Sequence, residues 1–284
     1  MTDGATLFDP VLPDPPTPPV VRVRLLVSYD GGAFHGYAEQ PGLHTVAGTL
    51  SQAIERVLRH RVTLSGAGRT DRGVHAWGQV VTFDARAEGF DPAPLQRSLN
   101  KLCGPALAVR QISVEATGFD ARFSATARRY RYLVLNREVH DPLRLRTHWH
   151  IAAPLDLAAM RLGCDPFIGE HDFSSFCRRP KTVPSDDQPK SLARRVDEAF
   201  WCSDGDDVLR FEIEANAFCH QMVRSIVGIL IDVGLGKRRP GDLLGVLRAR
   251  DRSVAGQPAP PHGLMLWSVS YGDIATRFNH PPKS

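Results

Sequence analysis

Cysteine is scarce in this chain: five residues in 284, with no CxxC pair and no Cys/His set at zinc-ligand spacing. That scarcity argues against a disulfide or zinc framework, and a reducing cytoplasm fits it best. No apolar run approaches the roughly 20 residues needed to cross a bilayer, so no membrane association is expected. No basic stretch leads into an apolar segment near the N-terminus, so secretion is not expected either. Charge of one sign is also in short supply: 35 Lys and Arg against 31 Asp and Glu leave +4, too small an excess to demand a nucleic-acid partner by itself. A GxxxxGK[ST] phosphate loop is missing, which removes the most common nucleotide-binding reading of the glycine-rich stretch described below.

What is present is the composition of an ordinary globular protein, 42% hydrophobic and 23% charged. Residues 1–19 hold six prolines and no periodicity, and are expected to form a flexible tail, as is 276–284. Between them the hydrophobic patterning predicts strands at 21–28, 61–64, 78–85 and 108–114, with helices at 46–58 and 92–103, a β-α-β-β-α-β order over 20–118. Thr45 stands where an N-cap belongs. Over 119–275 the pattern predicts strands at 130–135, 196–201, 208–215 and 264–271, and helical segments at 155–168, 220–233 and 241–248. Two halves of similar element order predict an α+β fold built from two ferredoxin-like, split βαβ units. The proline-bearing segment 178–191 reads as a flexible, locally acidic insertion.

Three segments could carry chemistry. GAGRTDRGVHA at 66–76 lies between two predicted strands, and its glycines permit a tight path that gathers polar side chains. Asp71 within it, flanked by Arg69 and Arg72, suits a nucleophile or base held ionised by neighbouring guanidinium groups; an aspartate that merely caps a turn is the bland alternative. In RRYRY at 128–132, strand alternation puts Arg128, Tyr130 and Tyr132 on one face and Arg129 and Arg131 on the other. A tyrosine beside arginine offers a stacking plane for an unpaired base and charge for its phosphate, or simply packs in the sheet. In NAFCHQMVR at 216–224, Arg224 borders an apolar helix whose polar stripe runs through His220, Gly228 and Asp232. Its charge needs a partner, for which both Asp71 and Asp232 are candidates. Cys219 reads as core packing. Basic clusters at 122–131, 178–181, 237–239 and 248–252 could track a phosphate backbone or be solvated surface.

With these segments in place, the chain resembles the TruA family of tRNA pseudouridine synthases over roughly 21–271. GAGRTDRGVHA is close to that family's GxGRTDxGVHA signature, and SYDGGAFHGY, FDARFSATARRYRY, HDFSSFC, NAFCHQMVRSIVG and PPHGLMLW match collinearly. The resemblance implies two ferredoxin-like halves sharing a central, mainly antiparallel sheet flanked by helices, a homodimer, a basic cleft, no cofactor and no metal. It implies conversion of uridine to pseudouridine on the 3′ side of the tRNA anticodon arm. By the matched motifs Asp71 takes the nucleophile's place, Tyr130 that of the tyrosine stacked on the target base, and Arg224 that of the arginine pairing with the aspartate. Arg69 takes the place of the residue that holds the target nucleotide out of its stack. The chain departs from the family at GYAEQ (36–40), at HQ (220–221) and at LCG (102–104). A non-catalytic RNA-binding module and a glycosidic hydrolase are the rival readings, the second weakened by the lack of a recognisable second carboxylate.

Overall fold

The computed structural model describes residues 12–17, 19–178 and 191–272. The expectations for most of the 1–19 tail, for the 178–191 insertion and for 276–284 lie largely outside the described residues.

Ten strands form one sheet: β1 (Val20–Tyr29), β2 (Ser65–Gly66), β3 (His75–Arg86), β4 (Leu107–Glu115), β5 (Ala127–Asn136), β6 (Trp149–Ile151), β7 (Gly169–Asp172), β8 (Ala193–Gly205), β9 (Val208–Ala215) and β10 (Leu264–Ser270). The order is β4-β1-β3-β10-β5-β9-β8-β7, with β2 alongside β3 and β6 alongside β5. Pairing is antiparallel apart from β10 against β3 and β6 against β5. The helices are α1 (Val46–Leu58), α2 (Pro92–Cys103), α3 (Leu157–Leu162), α4 (Met222–Gly234) and α5 (Leu243–Ala249). This is the expected α+β architecture, a mainly antiparallel sheet flanked by helices.

Local chemistry explains the element ends. The Thr45 side chain accepts the Gly48 N–H at the start of α1, and Asp91 accepts the Ala93 N–H at the start of α2, so one of the donors orphaned at each helix start finds a partner. β1 lies between β4 and β3, and its VRVRLLVS run is buried on both faces: Val23, Leu25 and Val27 are fully covered, and Arg24 and Leu26 nearly so. α4 is buried almost all round, with Ile226, Val227, Ile229 and Leu230 fully covered. Gly228 belongs to that packing, because a Cβ there would strike the Gln257 carbonyl.

Several expectations need correction. No strand forms over 61–64; that stretch is irregular, and its Arg61 N–H bonds to the Pro13 carbonyl, outside the sheet. The helical pattern at 155–168 is split into α3 and a 3-10 turn at Asp165–Phe167, with Pro166 unable to donate within a continuing α-helix. The GVHA end of the signature lies partly in β3, which starts three residues earlier than the apolar run suggested.

Cys219 is not simple core packing. It is disulfide-bonded to Cys177, with Cα atoms 5.7 Å apart. Local cysteine spacing could not reveal a partner 42 residues away, which the fold brings alongside by seating the 173–178 turn next to the entry of α4. Cys103 and Cys164 are free and buried, and burial pushes their thiols up to about 11 and about 12, well away from reactivity. Among the described residues no helix is long and apolar enough to cross a membrane, and no group of three His, Cys, Asp or Glu is placed to hold a metal ion.

Candidate active site

The loop between β2 and β3 is held from below by side chains of the sheet. Gln79 on β3 donates to the Gly68 carbonyl at 2.7 Å and accepts its N–H at 3.3 Å. Thr70 shares a 2.7 Å hydroxyl hydrogen bond with the buried Tyr29, whose phenol burial pushes up to about 12. The Tyr37 N–H bonds to the Thr70 carbonyl at 3.0 Å, and Gly36, with φ of +100°, presses against that same carbonyl. The SYDGGAFHGY segment is therefore the cradle on which the GRTD loop rests. A glycine at 31 is required because a Cβ would collide with the Val74 carbonyl.

On this cradle Asp71 stands at the floor of a cleft of about 1390 Å³. Its two carboxylate oxygens have different partners: Arg224 Nη1 lies 3.4 Å from Oδ2, and His220 Nε2 lies 3.2 Å from Oδ1. Both partners come from the entry of α4. Gln221 stands between them in the left-handed region at φ +65°, turning the chain so that His220, just before the helix, and Arg224, in its first turn, converge on one carboxylate. Arg224 is fixed in turn by donating from Nε to the Ala259 carbonyl at 2.7 Å, while the Ala259 N–H bonds back to the Arg224 carbonyl at 2.8 Å. The structure thus pairs Arg224 with Asp71, and Asp232 is occupied by Lys237 instead.

Tyr130 is buried in the same cleft, edge-on to Phe218 with ring centroids 5.0 Å apart. Burial drives its phenol far above the usual range, with Tyr29 and the Asp71 charge pushing the same way. Its hydroxyl sits beside Gly68, where a Cβ would lie 3.6 Å away. Arg69 and Arg72 line the cleft but are exposed, and among the described residues neither forms an ion pair with Asp71. Chain adjacency did not become contact: the partners of the carboxylate arrive from the entry of α4.

Strand alternation in β5 is as expected, and it sorts the basic cluster at 122–131. Arg129 is neutralised on the face away from Tyr130 by Glu198, Glu212 and Glu214 at 2.8, 3.0 and 2.9 Å. Arg131 pairs with Glu212 at 2.7 Å and lies 3.5 Å from the Trp267 ring centroid. These two therefore do not face the cleft. Arg122, Arg178 and Arg194 do, whereas Lys237, Arg238, Arg239, Arg248, Arg250 and Arg252 are not among its lining.

Two side chains at the candidate site had no clear sequence signal. His220 was read as one member of a polar stripe. Arg128, which shares the Tyr130 face, is buried with no carboxylate partner among the described residues. It donates to the carbonyls of Ala67 at 3.1 and 3.2 Å, Arg122 at 2.7 Å, Asn216 at 2.8 Å and Ala125 at 3.2 Å. One guanidinium thus ties together the Asp71 loop, the 122 turn and the lead-in to α4, and desolvation lowers its pKa.

The cleft gathers several arginines around a two-point-anchored carboxylate beside a buried tyrosine, on a mainly antiparallel sheet flanked by helices. The tRNA pseudouridine synthase family pattern matches residues 25–124 and 164–272. "tRNA pseudouridine synthase A" of Bacillus velezensis is 38% identical over 253 residues, covering 88% of this chain and 99% of that protein. The protein of that name from Bacillus subtilis is 38% identical over 256 residues (88% and 99%), and that from Leifsonia xyli subsp. xyli 39% over 276 residues (90% and 93%). This chain belongs to the tRNA pseudouridine synthase family. Among solved structures, a Cbf5-Nop10-Gar1 complex overlaps at a TM-score of 0.31 and 13% identity, covering 74% of this chain and 45% of that one, too remote to carry an argument.

Proposed function

We propose that this protein isomerises uridine to pseudouridine on the 3′ side of the tRNA anticodon arm, with Asp71 as the nucleophile. The observation that carries the reading is the placement of Asp71: partly exposed at the cleft floor, each oxygen addressed separately by Arg224 and His220, with Tyr130 beside it. A carboxylate anchored in this way is held in one orientation, as an attacking group must be. Attack at the base or at the sugar carbon breaks the bond between uracil N1 and C1′. The uracil turns within the cleft, carbon 5 bonds to C1′, the bond to Asp71 breaks and returns the free carboxylate, the carbon 5 proton leaves and N1 takes one up, so the product is an isomer and no co-reactant is consumed.

Tyr130 supplies the flat surface under the target base. Arg224 holds Asp71, and Arg69, free at the rim, holds the nucleotide that has left its stack. Flipping costs a few kcal/mol, which the arginine lining offsets through the phosphates. The two halves, 20–118 and 119–275, act as the two jaws, the first contributing Asp71 and the second Tyr130 and Arg224. We take the working species to be a cytoplasmic homodimer, tested by light scattering at twice the chain mass.

The deciding experiment follows pseudouridine formation on unmodified anticodon-arm tRNA by the wild type and by Asp71→Asn, with tRNA affinity measured for both. The substitution keeps shape and removes the charge; it is expected to reduce turnover by roughly 1000-fold or more while affinity changes little. Turnover retained within a few-fold of wild type would remove Asp71 from the nucleophile's role.

A further inference from the structure

We propose that Phe123 and Arg122 form a second nucleobase site, a stacking platform for an unpaired base on the RNA strand that carries the target uridine. The inference rests on the RNA-modifying reading above and adds a contact which that reading does not use.

Phe123 is 80% exposed, the most exposed aromatic side chain among the described residues. Its backbone is not loose. Asp120 accepts the N–H groups of Arg122 and Phe123 at 2.7 and 2.9 Å and the Ser65 hydroxyl at 3.1 Å, and these hydrogen bonds outweigh burial in holding its carboxyl below the usual range. The Ser124 N–H returns to the Asp120 carbonyl at 3.0 Å. Ala121, fully buried, is pinned by Thr82 at 3.1 Å and by the Tyr271 hydroxyl at 2.8 Å. Arg128 grips the Arg122 carbonyl and, with the same guanidinium, the Ala67 carbonyl of the Asp71 loop. A large apolar ring is thus presented to solvent from a turn fastened on both sides and fastened also to the catalytic loop.

The neighbouring charge identifies the ligand. Arg122 places its guanidinium 5.2 Å from the Phe123 ring centroid, has no carboxylate partner among the described residues, and lines the cleft that holds Asp71. An open aromatic face backed by an uncompensated cation suits a flat base carrying a phosphate. An acidic or purely apolar partner would use only one of the two groups. Because the platform is tied to the Asp71 loop through Arg128, a base stacked there sets the register of the strand entering the cleft.

The test uses the full-length chain and the variants Phe123→Ala, Phe123→Leu and Phe123→Trp, read by single-turnover pseudouridine formation and by affinity for fluorescein-labelled anticodon-arm RNA in an Asp71→Asn background. The ring is exposed, so folding is expected to be undisturbed in all three. Alanine and leucine are expected to raise the half-saturating RNA concentration about tenfold, with the rate at saturation within about twofold of wild type, and tryptophan to restore the wild-type value. Leucine behaving like phenylalanine would overturn the proposal, since side-chain volume and not an aromatic face would then suffice. So would the alanine variant changing subunit assembly without changing RNA affinity, which would make the ring a subunit contact. The affinity arm stands apart from catalysis: a wild type that binds RNA without modifying it overturns the activity reading, while a tenfold loss in Phe123→Ala still supports the platform.

Discussion

At the scale of single residues, Arg128 has the heaviest structural role of any charged group around the cleft. A buried guanidinium whose partners are all backbone carbonyls cannot be exchanged for another cation, because lysine presents three donors from one point where arginine presents a planar fork. Arg128→Lys is expected to lower stability by about 1–3 kcal/mol, through carbonyls of Ala67, Arg122 and Asn216 left unmatched, and to slow single-turnover modification more than it weakens RNA binding. Thermal unfolding and the rate at saturating RNA check the two parts. Asp71 was legible from sequence because its glycines announce a tight loop with a purpose, and Tyr130 because strand alternation fixes its side. The choice of Arg224's partner was not legible: periodicity puts Asp232 two turns along the same helix, and only the loop crossing from β2 to β3 brings Asp71 closer. His220 was hidden for a related reason, since its direction depends on a left-handed glutamine that no propensity rule marks.

At the scale of elements, α4 and the segment after α5 form a matched pair. Reciprocal hydrogen bonds between Arg224 and Ala259, and the closeness of Gly228 to Gln257, hold the helix against that segment. Gly228→Ala normally favours a helix by about 1 kcal/mol; here the added methyl meets a backbone carbonyl, and a net destabilisation of about 2–3 kcal/mol is expected from overpacking. Turnover should fall with it, because the displaced segment carries the carbonyl that orients Arg224. Calorimetry and the modification assay on the same preparation measure both. Helices with clean caps, α1 and α2, were readable almost to the residue. The two-residue β2, the three-residue β6 and the four-residue β7 were not, because their pairing is created by neighbours distant in the chain and not by their own alternation. The Cys177–Cys219 link was missed on the same ground.

At the scale of the whole molecule, the contact between the 148 region and the turn before β10 is sensitive to acid. His262 Nε2 donates to the His148 carbonyl at 3.1 Å, and burial lowers the pKa of both rings below 6.5, opposed at His148 by hydrogen bonding to the Arg144 backbone and by Asp141, and at His262 by the bond to His148 while His75 adds to the lowering. The folded chain therefore favours the neutral rings. Stability is fully present above the unfolded value of about 6.5 and is lost as pH falls from there toward the lowered folded values. The melting temperature should drop between pH 7.5 and 5.5, and His262→Asn should flatten that slope. Both rings are partly exposed, so the change is expected to be modest.

The position of β10 has a further consequence, for synthesis. It comes after every other strand in the chain, yet it is seated between β3 and β5, joining the side that carries Asp71 to the side that carries Tyr130 and Arg224. While residues before 264 are still being made, neither side has its central neighbour in the sheet. The native sheet, and with it the complete cleft, can therefore form only after residues 264–270 have been made.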